Sequence, residues 1–318
     1  MTRTFFIVGP TAAGKSELAA DVAREMGAEI VSADAFQIYR GLDLLTAKPD
    51  AATHAKAPHQ LIGTAPLHEE MNAEKYRCAA SRAIDEIHSR GKLAIVIGGN
   101  GLYIKALTHG LTSLPPADLE LRAELSQQST DDLRTLLADL DPETARKIDT
   151  KNRRRLLRAL EICLTTEKPA SKQRTQWTVA GVGDAGRPWS PTPATANGVF
   201  VYRDRQELYA RINSRVEAMF KAGVIEEVRA AGAMSLTAAQ MIGLCDIRQL
   251  LEGKMSILQC VAAIQQATRR YAKRQLTWFR RQTNFEPLNL SLLSHNEAVK
   301  WILLRAQRRK ASDVRAQG

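Results

Sequence analysis

Residues 9–16 read Gly9-Pro10-Thr11-Ala12-Ala13-Gly14-Lys15-Ser16, the spacing GxxxxGK[ST]. Two glycines let the backbone curl until successive N–H groups face inward around phosphate oxygens. A helix opening directly after the loop aims its positive end at the same anion. Lys15 adds a full charge, and the Ser16 hydroxyl is a ligand type suited to Mg²⁺. The pattern predicts a phosphate or pyrophosphate site and leaves the reaction open.

Further along, Ser32-Ala33-Asp34-Ala35-Phe36-Gln37 offers a carboxylate that can hold magnesium through water or act as a general base. Its bland alternative is the N-cap of a helix. In Gly98-Gly99-Asn100-Gly101-Leu102-Tyr103 the glycines can simply turn the chain. Asn100 carries a donor and an acceptor able to read a base or a phosphate. Two basic runs follow. Lys151, Arg153, Arg154, Arg155 and Arg158 crowd one helix start. In 269–281, helical spacing puts Arg270, Lys273 and Arg274 near one face, with Leu276 and Phe279 anchoring the other. With 45 Lys+Arg against 34 Asp+Glu the net charge is +11. Basic runs interleaved with aromatics in such a chain favour a nucleic-acid backbone over a merely solvated face.

Other chemistries are disfavoured. His54, His59 and His68 lack the spacing of a metal motif, and Cys78, Cys163, Cys245 and Cys260 form no CxxC pair. Reduced thiols in a cytoplasmic protein are expected. The start MTRTFFIVGP lacks the apolar core of a signal peptide, and no run approaches the ~20 apolar residues of a membrane helix.

The elements that must hold these residues alternate. Thr4–Val8, Glu29–Ser32 and Lys92–Ile97 read as short buried strands. Helical spacing covers Ser16–Met26, Tyr76–His88 and Leu102–Leu107, and strand–turn–helix order implies a parallel sheet covered by helices. Asp34 and the glycines at 98–101 then share one sheet edge with the phosphate loop. Near Leu114-Pro115-Pro116 the pattern turns helical and polar, with helices over 118–126 and 131–140 and a third opened by Asp141-Pro142. Thr178–Asn197 reads as a loop, Gly198–Tyr202 resumes the strand pattern, and the last hundred or so residues read as helical with a frayed tail after Arg308. The expected architecture is α/β: a P-loop NTPase-like parallel sheet flanked by helices (1–113 and 198–318) with an inserted all-helical domain (114–197), to which a family resemblance adds RNA contact.

Together these segments resemble the tRNA dimethylallyltransferases, also called tRNA isopentenyltransferases. The likeness runs through GPTAAGKS, SADAFQIYRGLD, TAKP, GGNGLYIKAL, LPPAD, RRLLRALE, RQELYARINSRVEAMFKAGVIEEV and TRRYAKRQLTWFR. It implies transfer of a dimethylallyl group from its diphosphate to the exocyclic amine of the adenosine 3′ of a tRNA anticodon, without ATP hydrolysis. The phosphate loop then holds the donor with Mg²⁺ at Ser16, Lys15 and Arg205 clamp the leaving diphosphate, and Asp34 is the general base. The same likeness puts tRNA contacts at Asp34, Ala35, Phe36, Gln37, Asn100, Arg122, Arg154, Arg155, Leu156, Leu157, Arg158, Arg270, Lys273 and Arg274. The expected partners are the anticodon stem-loop and dimethylallyl diphosphate, with no membrane, and the expected state is a monomer. Departures from the family pattern are Ala35 for serine, Leu45 for glycine, Asn100 for threonine, and Gly243-Leu244-Cys245-Asp246 where the family has GYxE or GYRQ. A small-molecule P-loop kinase and an RNA-binding paralogue without catalysis are the alternatives.

Overall fold

The computed structural model describes residues 4–111, 114–115, 118–149, 152–173 and 197–315. The chain divides into two units, one built from Met1–Thr108 and Trp189–Gly318, the other from His109–Pro188.

The first unit contains β1 (Thr4–Val8), α1 (Lys15–Met26), β2 (Glu29–Ala33), α2 (Ala51–Lys56), β3 (His59–Gln60), α3 (Ala73–Ser89), β4 (Ala94–Gly98) and α4 (Gly101–His109, whose last residue falls in the second unit). All residues of β1, β2 and β4 are buried, as expected of strands covered on both faces. Alternation sorts their side chains into two layers. Phe6, Val8, Val31 and Val96 pack with Tyr76, Ile84, Tyr103 and Ile104 on one face. Phe5, Ile7, Ile30 and Ile95 pack with Leu18 and Val22 of α1 on the other.

The second unit holds α5 (Leu119–Gln127), α6 (Thr130–Leu140), α7 (Pro142–Lys147), α8 (Arg153–Thr166) and α9 (Ala170–Gln173). Asp118, Ser129, Asp141 and Asn152 cap four of these helices through side-chain acceptors. Leu125, Leu133, Leu137, Leu156 and Leu160 form its core. Burial pushes the Asp141 carboxyl up, but hydrogen bonds from the Thr144 hydroxyl and amide and from Ser171 outweigh it and hold the group down at about 2.

The chain returns to the first unit with β5 (Gly198–Tyr202), α10 (Arg205–Lys221), α11 (Val224–Arg229), α12 (Leu244–Leu251), α13 (Ile257–Phe279), β6 (Glu286–Asn289) and α14 (His295–Arg315). The six strands stand in the order β3-β2-β4-β1-β5-β6, every neighbouring pair parallel. Two expectations for this region are corrected. β6 interrupts what reads as a helical stretch, its pattern hidden by Pro287, which an edge strand tolerates. The tail does not fray at Arg308: no Gly or Pro breaks 295–315, and the backbone stays helical to Arg315. The Thr178–Asn197 loop reading lies outside the described residues except for Asn197, as do Pro116 and Lys151. Among the described residues no helix is long and apolar enough to cross a membrane.

Candidate functional site

Register fixes where the loops meet. Val8 and Ala33 both stand opposite Gly98, and Val8 also stands opposite Phe200. The segments leaving β1, β2, β4 and β5 therefore emerge side by side at the carboxyl edge of the sheet, where such folds bind ligands. Gly9 donates its N–H to the Gly98 carbonyl at 3.2 Å, and a Cβ on Gly9 would run into the Val201 carbonyl. Left-handed backbone at Ala12 (φ 63°) and Gly14 (φ 96°) curls the loop into the start of α1.

Lys15 opens α1 and turns back, donating from Nζ to the Pro10 carbonyl at 2.7 Å. Burial pulls its ammonium from 10.5 down to about 8; the Asp34 carboxylate opposes that fall and the Arg215 guanidinium adds to it. A bound anion would repay the lost solvation of this cation. Ser16, half-buried in the first turn, has an unengaged hydroxyl among the described residues. Mg²⁺ prefers one or two protein oxygens supplemented by phosphate and water, and a lone hydroxyl beside an anion-receptive loop fits that demand.

Two arginines grip the loop from outside. Arg203, just after β5, donates from Nε to the Ala13 carbonyl at 2.9 Å and pairs with Glu207 at 2.5 Å. Arg211 on α10 donates from Nε to the Ala12 carbonyl at 2.9 Å. One helical turn on, Arg215 is half-buried; lost solvation lowers its pKa, Asp34 opposes the fall, and its Nε has no hydrogen-bond partner. Arg205, the arginine singled out by sequence, is exposed at the first residue of α10 with its guanidinium 5.2 Å over the Tyr209 ring. Arg203, Arg211 and Arg215 were the missed residues. The i, i+4 spacing of Arg211 and Arg215 was the available signal, since it places both on one helix face.

Asp34 caps a turn at 35–38 rather than the helix its sequence suggests, and it is also a charge in the site. Its Oδ1 accepts the amides of Phe36 at 2.9 Å and Gln37 at 3.2 Å. A carboxylate has a second oxygen, and this one's charge is felt by Lys15, Arg215, Tyr76 and Tyr271. Ala35, Phe36 and Gln37 are half-buried beside it. Gln37 donates from Nε2 to the Ala47 carbonyl at 3.0 Å, and Lys48 reaches back to the Tyr39 carbonyl at 2.6 Å, so the 41–48 loop is tied to the Asp34 turn. Glu227 accepts the amides of Leu44 and Leu45, each at 2.9 Å.

Asn100 is the cap of α4: its Oδ1 accepts from Leu102 N at 3.1 Å and Tyr103 N at 3.3 Å. Threonine and asparagine are both capping residues, which accounts for the exchange at this position. Leu45 and Leu244, two more departures from the family pattern, are buried in one core cluster, and a Cβ on Gly243 would meet Leu45 at 3.3 Å. Leu244 is thus a packing residue.

The RNA-contact expectations divide. On α13, Arg270, Lys273 and Arg274 are exposed while Ile264, Thr268, Ala272, Gln275 and Phe279 are buried, as the helical spacing requires. Arg154 and Arg155 are exposed on α8. Leu156 is 0% exposed in the core of the second unit, so the expectation of RNA contact there is corrected; Leu157 packs partly against the same core. Arg122 meets the buried Glu161 with both Nε and Nη2, and Arg158 donates to Glu161 at 3.2 Å and to the Pro115 carbonyl at 2.7 Å. These two guanidiniums are half-buried and balance an internal charge before they meet any ligand.

Comparison with known proteins gives consistent matches. A family described as IPP transferase matches residues 37–282. A tRNA dimethylallyltransferase of Akkermansia muciniphila is 42% identical over 88% of this chain and 90% of its own. The crystal structure of a tRNA isopentenylpyrophosphate transferase from Staphylococcus epidermidis superposes with a TM-score of 0.65 at 31% identity, covering 96% of this chain and 99% of that one. A eukaryotic dimethylallyltransferase acting on tRNA shares the fold, with a TM-score of 0.77 at 22% identity over 98% of this chain and 80% of that one.

Proposed function

The chain belongs to the IPP transferase family, and from that premise we propose that it transfers a dimethylallyl group from dimethylallyl diphosphate to the exocyclic amine of the adenosine 3′-adjacent to a tRNA anticodon. One observation carries the reading: an anion-receptive loop with a half-buried lysine shares a sheet edge with a carboxylate whose charge acts on that lysine. Alkylation of an amine by an allylic diphosphate needs those two functions and no hydrolytic water.

In this reading the loop amides, the N-terminus of α1 and Lys15 hold the diphosphate, and Arg203, Arg211 and Arg215 add positive field around it. The amine nitrogen forms a bond to C1 of the dimethylallyl group as the C1–O bond breaks, and the electron pair leaves with the diphosphate. Asp34 takes the proton that the nitrogen loses. Magnesium, when bound at Ser16, supplies further neutralisation of the leaving group. The adenine must leave its stack to reach the sheet edge, as in base flipping. Arg270, Lys273 and Arg274 of α13 and Arg154 and Arg155 of α8 contact the backbone of the anticodon stem-loop. The enzyme acts as a cytoplasmic monomer.

The test is incubation with dimethylallyl diphosphate, magnesium and unmodified tRNA, followed by digestion and mass spectrometry of the nucleosides. A five-carbon unit on adenosine is the expected product. Phosphorylation of a small acceptor by ATP with no alkylation would overturn the reading.

A further inference from the structure

Gln275 lies on the buried face of α13 and joins two loops of the site. Its Oε1 accepts the Thr11 N–H at 2.9 Å, and its Nε2 donates to the Gly99 carbonyl at 2.9 Å. The orientation of the amide is fixed, because a backbone N–H can only donate and a carbonyl can only accept. A Cβ on Gly99 would run into Gln275 Nε2, and one on Gly101 would lie 2.6 Å from Trp278, three residues further along the same helix. Two glycines of the 98–101 turn thus mark where α13 enters it. Tyr271 lies one turn before Gln275, and its phenol is pushed up first by burial and then by the charge of Asp34. Lys273 and Arg274 occupy the exposed side of the same turn.

We infer that Gln275 is a positioning residue for the diphosphate: it ties the Thr11 amide and the Gly99 carbonyl to α13 and so holds the loop in its anion-receptive curl. This rests on the proposed function above. Without the tether the loop must be reordered each time the anion binds, and preorganisation is lost. The side chain points away from the exposed face of α13, so RNA affinity is unaffected.

Two substitutions test this. Gln275→Met keeps the volume and drops both hydrogen bonds. Gln275→Glu keeps one acceptor and one donor while the introduced carboxyl is protonated, and loses the donor, while adding negative charge, once it ionises. For Gln275→Met, affinity for inorganic pyrophosphate in calorimetry should fall about tenfold, the scale of one or two buried hydrogen bonds. The KM for dimethylallyl diphosphate should rise in step, with the KM for tRNA within about twofold of wild type. Gln275→Glu should bind donor well at low pH and lose affinity as pH rises, more steeply than wild type. Unchanged pyrophosphate affinity and donor KM in Gln275→Met, with or without a fall in kcat, would overturn the inference and leave the proposed function standing. So would a Gln275→Glu pH profile parallel to wild type, a readout that serves even if Gln275→Met fails to fold. A wild-type protein that alkylates tRNA yet binds no pyrophosphate would refute the donor-loop tether alone; one that does neither would remove the donor reading and this inference together.

Discussion

Lys15 supplies the sharpest quantitative handle on the donor site. With its ammonium near 8, about nine-tenths of the free protein carries the charge at pH 7 and about one-tenth at pH 9. If the charged form binds the diphosphate, the dissociation constant for dimethylallyl diphosphate should climb about tenfold across that interval, roughly 1.4 kcal/mol. The assay is calorimetric titration of the donor at half-unit steps from pH 6.5 to 9.5, in parallel with Lys15→Met, which removes any contribution from ionisation of the donor itself. Unfolding cannot imitate the effect. The folded lysine gives up its proton near 8 and the unfolded one near 10.5, so the unfolded chain binds more protons between them and this group's contribution to stability rises with pH there. Asp34→Asn should move the inflection to lower pH, because the carboxylate holds the ammonium up. A wild-type profile with no inflection between 7 and 10, or one that Lys15→Met leaves unaltered, would refute the assignment of Lys15 to the diphosphate.

Asp34→Asn retains an oxygen able to accept the Phe36 and Gln37 amides, so the turn should persist while single-turnover alkylation slows by about 10²–10⁴; quench-flow with tRNA checks this, and a near wild-type rate would exclude Asp34 as the base. Arg274→Ala should weaken tRNA binding and reduce the slope of log affinity against log salt by about 1, measured by filter binding across a salt series. Glu161→Gln leaves Arg122 and Arg158 facing a neutral group in the second unit and should destabilise it by about 2 kcal/mol, visible as a lower urea midpoint.

The elements that bear chemistry were legible because their signals are local. The GxxxxGK[ST] spacing, the apolar strand before it and the helix after it lie within 23 residues, 4–26, and the structure realises all three. For Asp34 the local sequence suggests a helix N-cap; the carboxylate does accept amides two and three residues on, but they belong to a turn and no helix follows. Periodicity likewise separated the exposed face of α13 from the buried one. What escaped depends on distant pairing. Arg203 meets Ala13 across 190 residues, and Gln275 meets Thr11 across 264. Nothing near either residue announces the contact. Leu156 shows the converse: it sits inside a basic run, and only its place on the buried face of α8 removes it from the RNA surface. β6 was hidden by its proline, and Asn100 took a capping role that its amide could equally have spent on a base.

The most direct measurement is a crystal structure with an anticodon stem-loop and an unreactive analogue of dimethylallyl diphosphate bound together. The two phosphoryl groups should lie on the amides of residues 9–16 with Lys15 Nζ against them, and the free oxygen of Asp34 should stand within about 3 Å of the exocyclic nitrogen of a flipped adenine. A diphosphate seated elsewhere, or an adenine amine beyond reach of that carboxylate, would contradict the proposed chemistry.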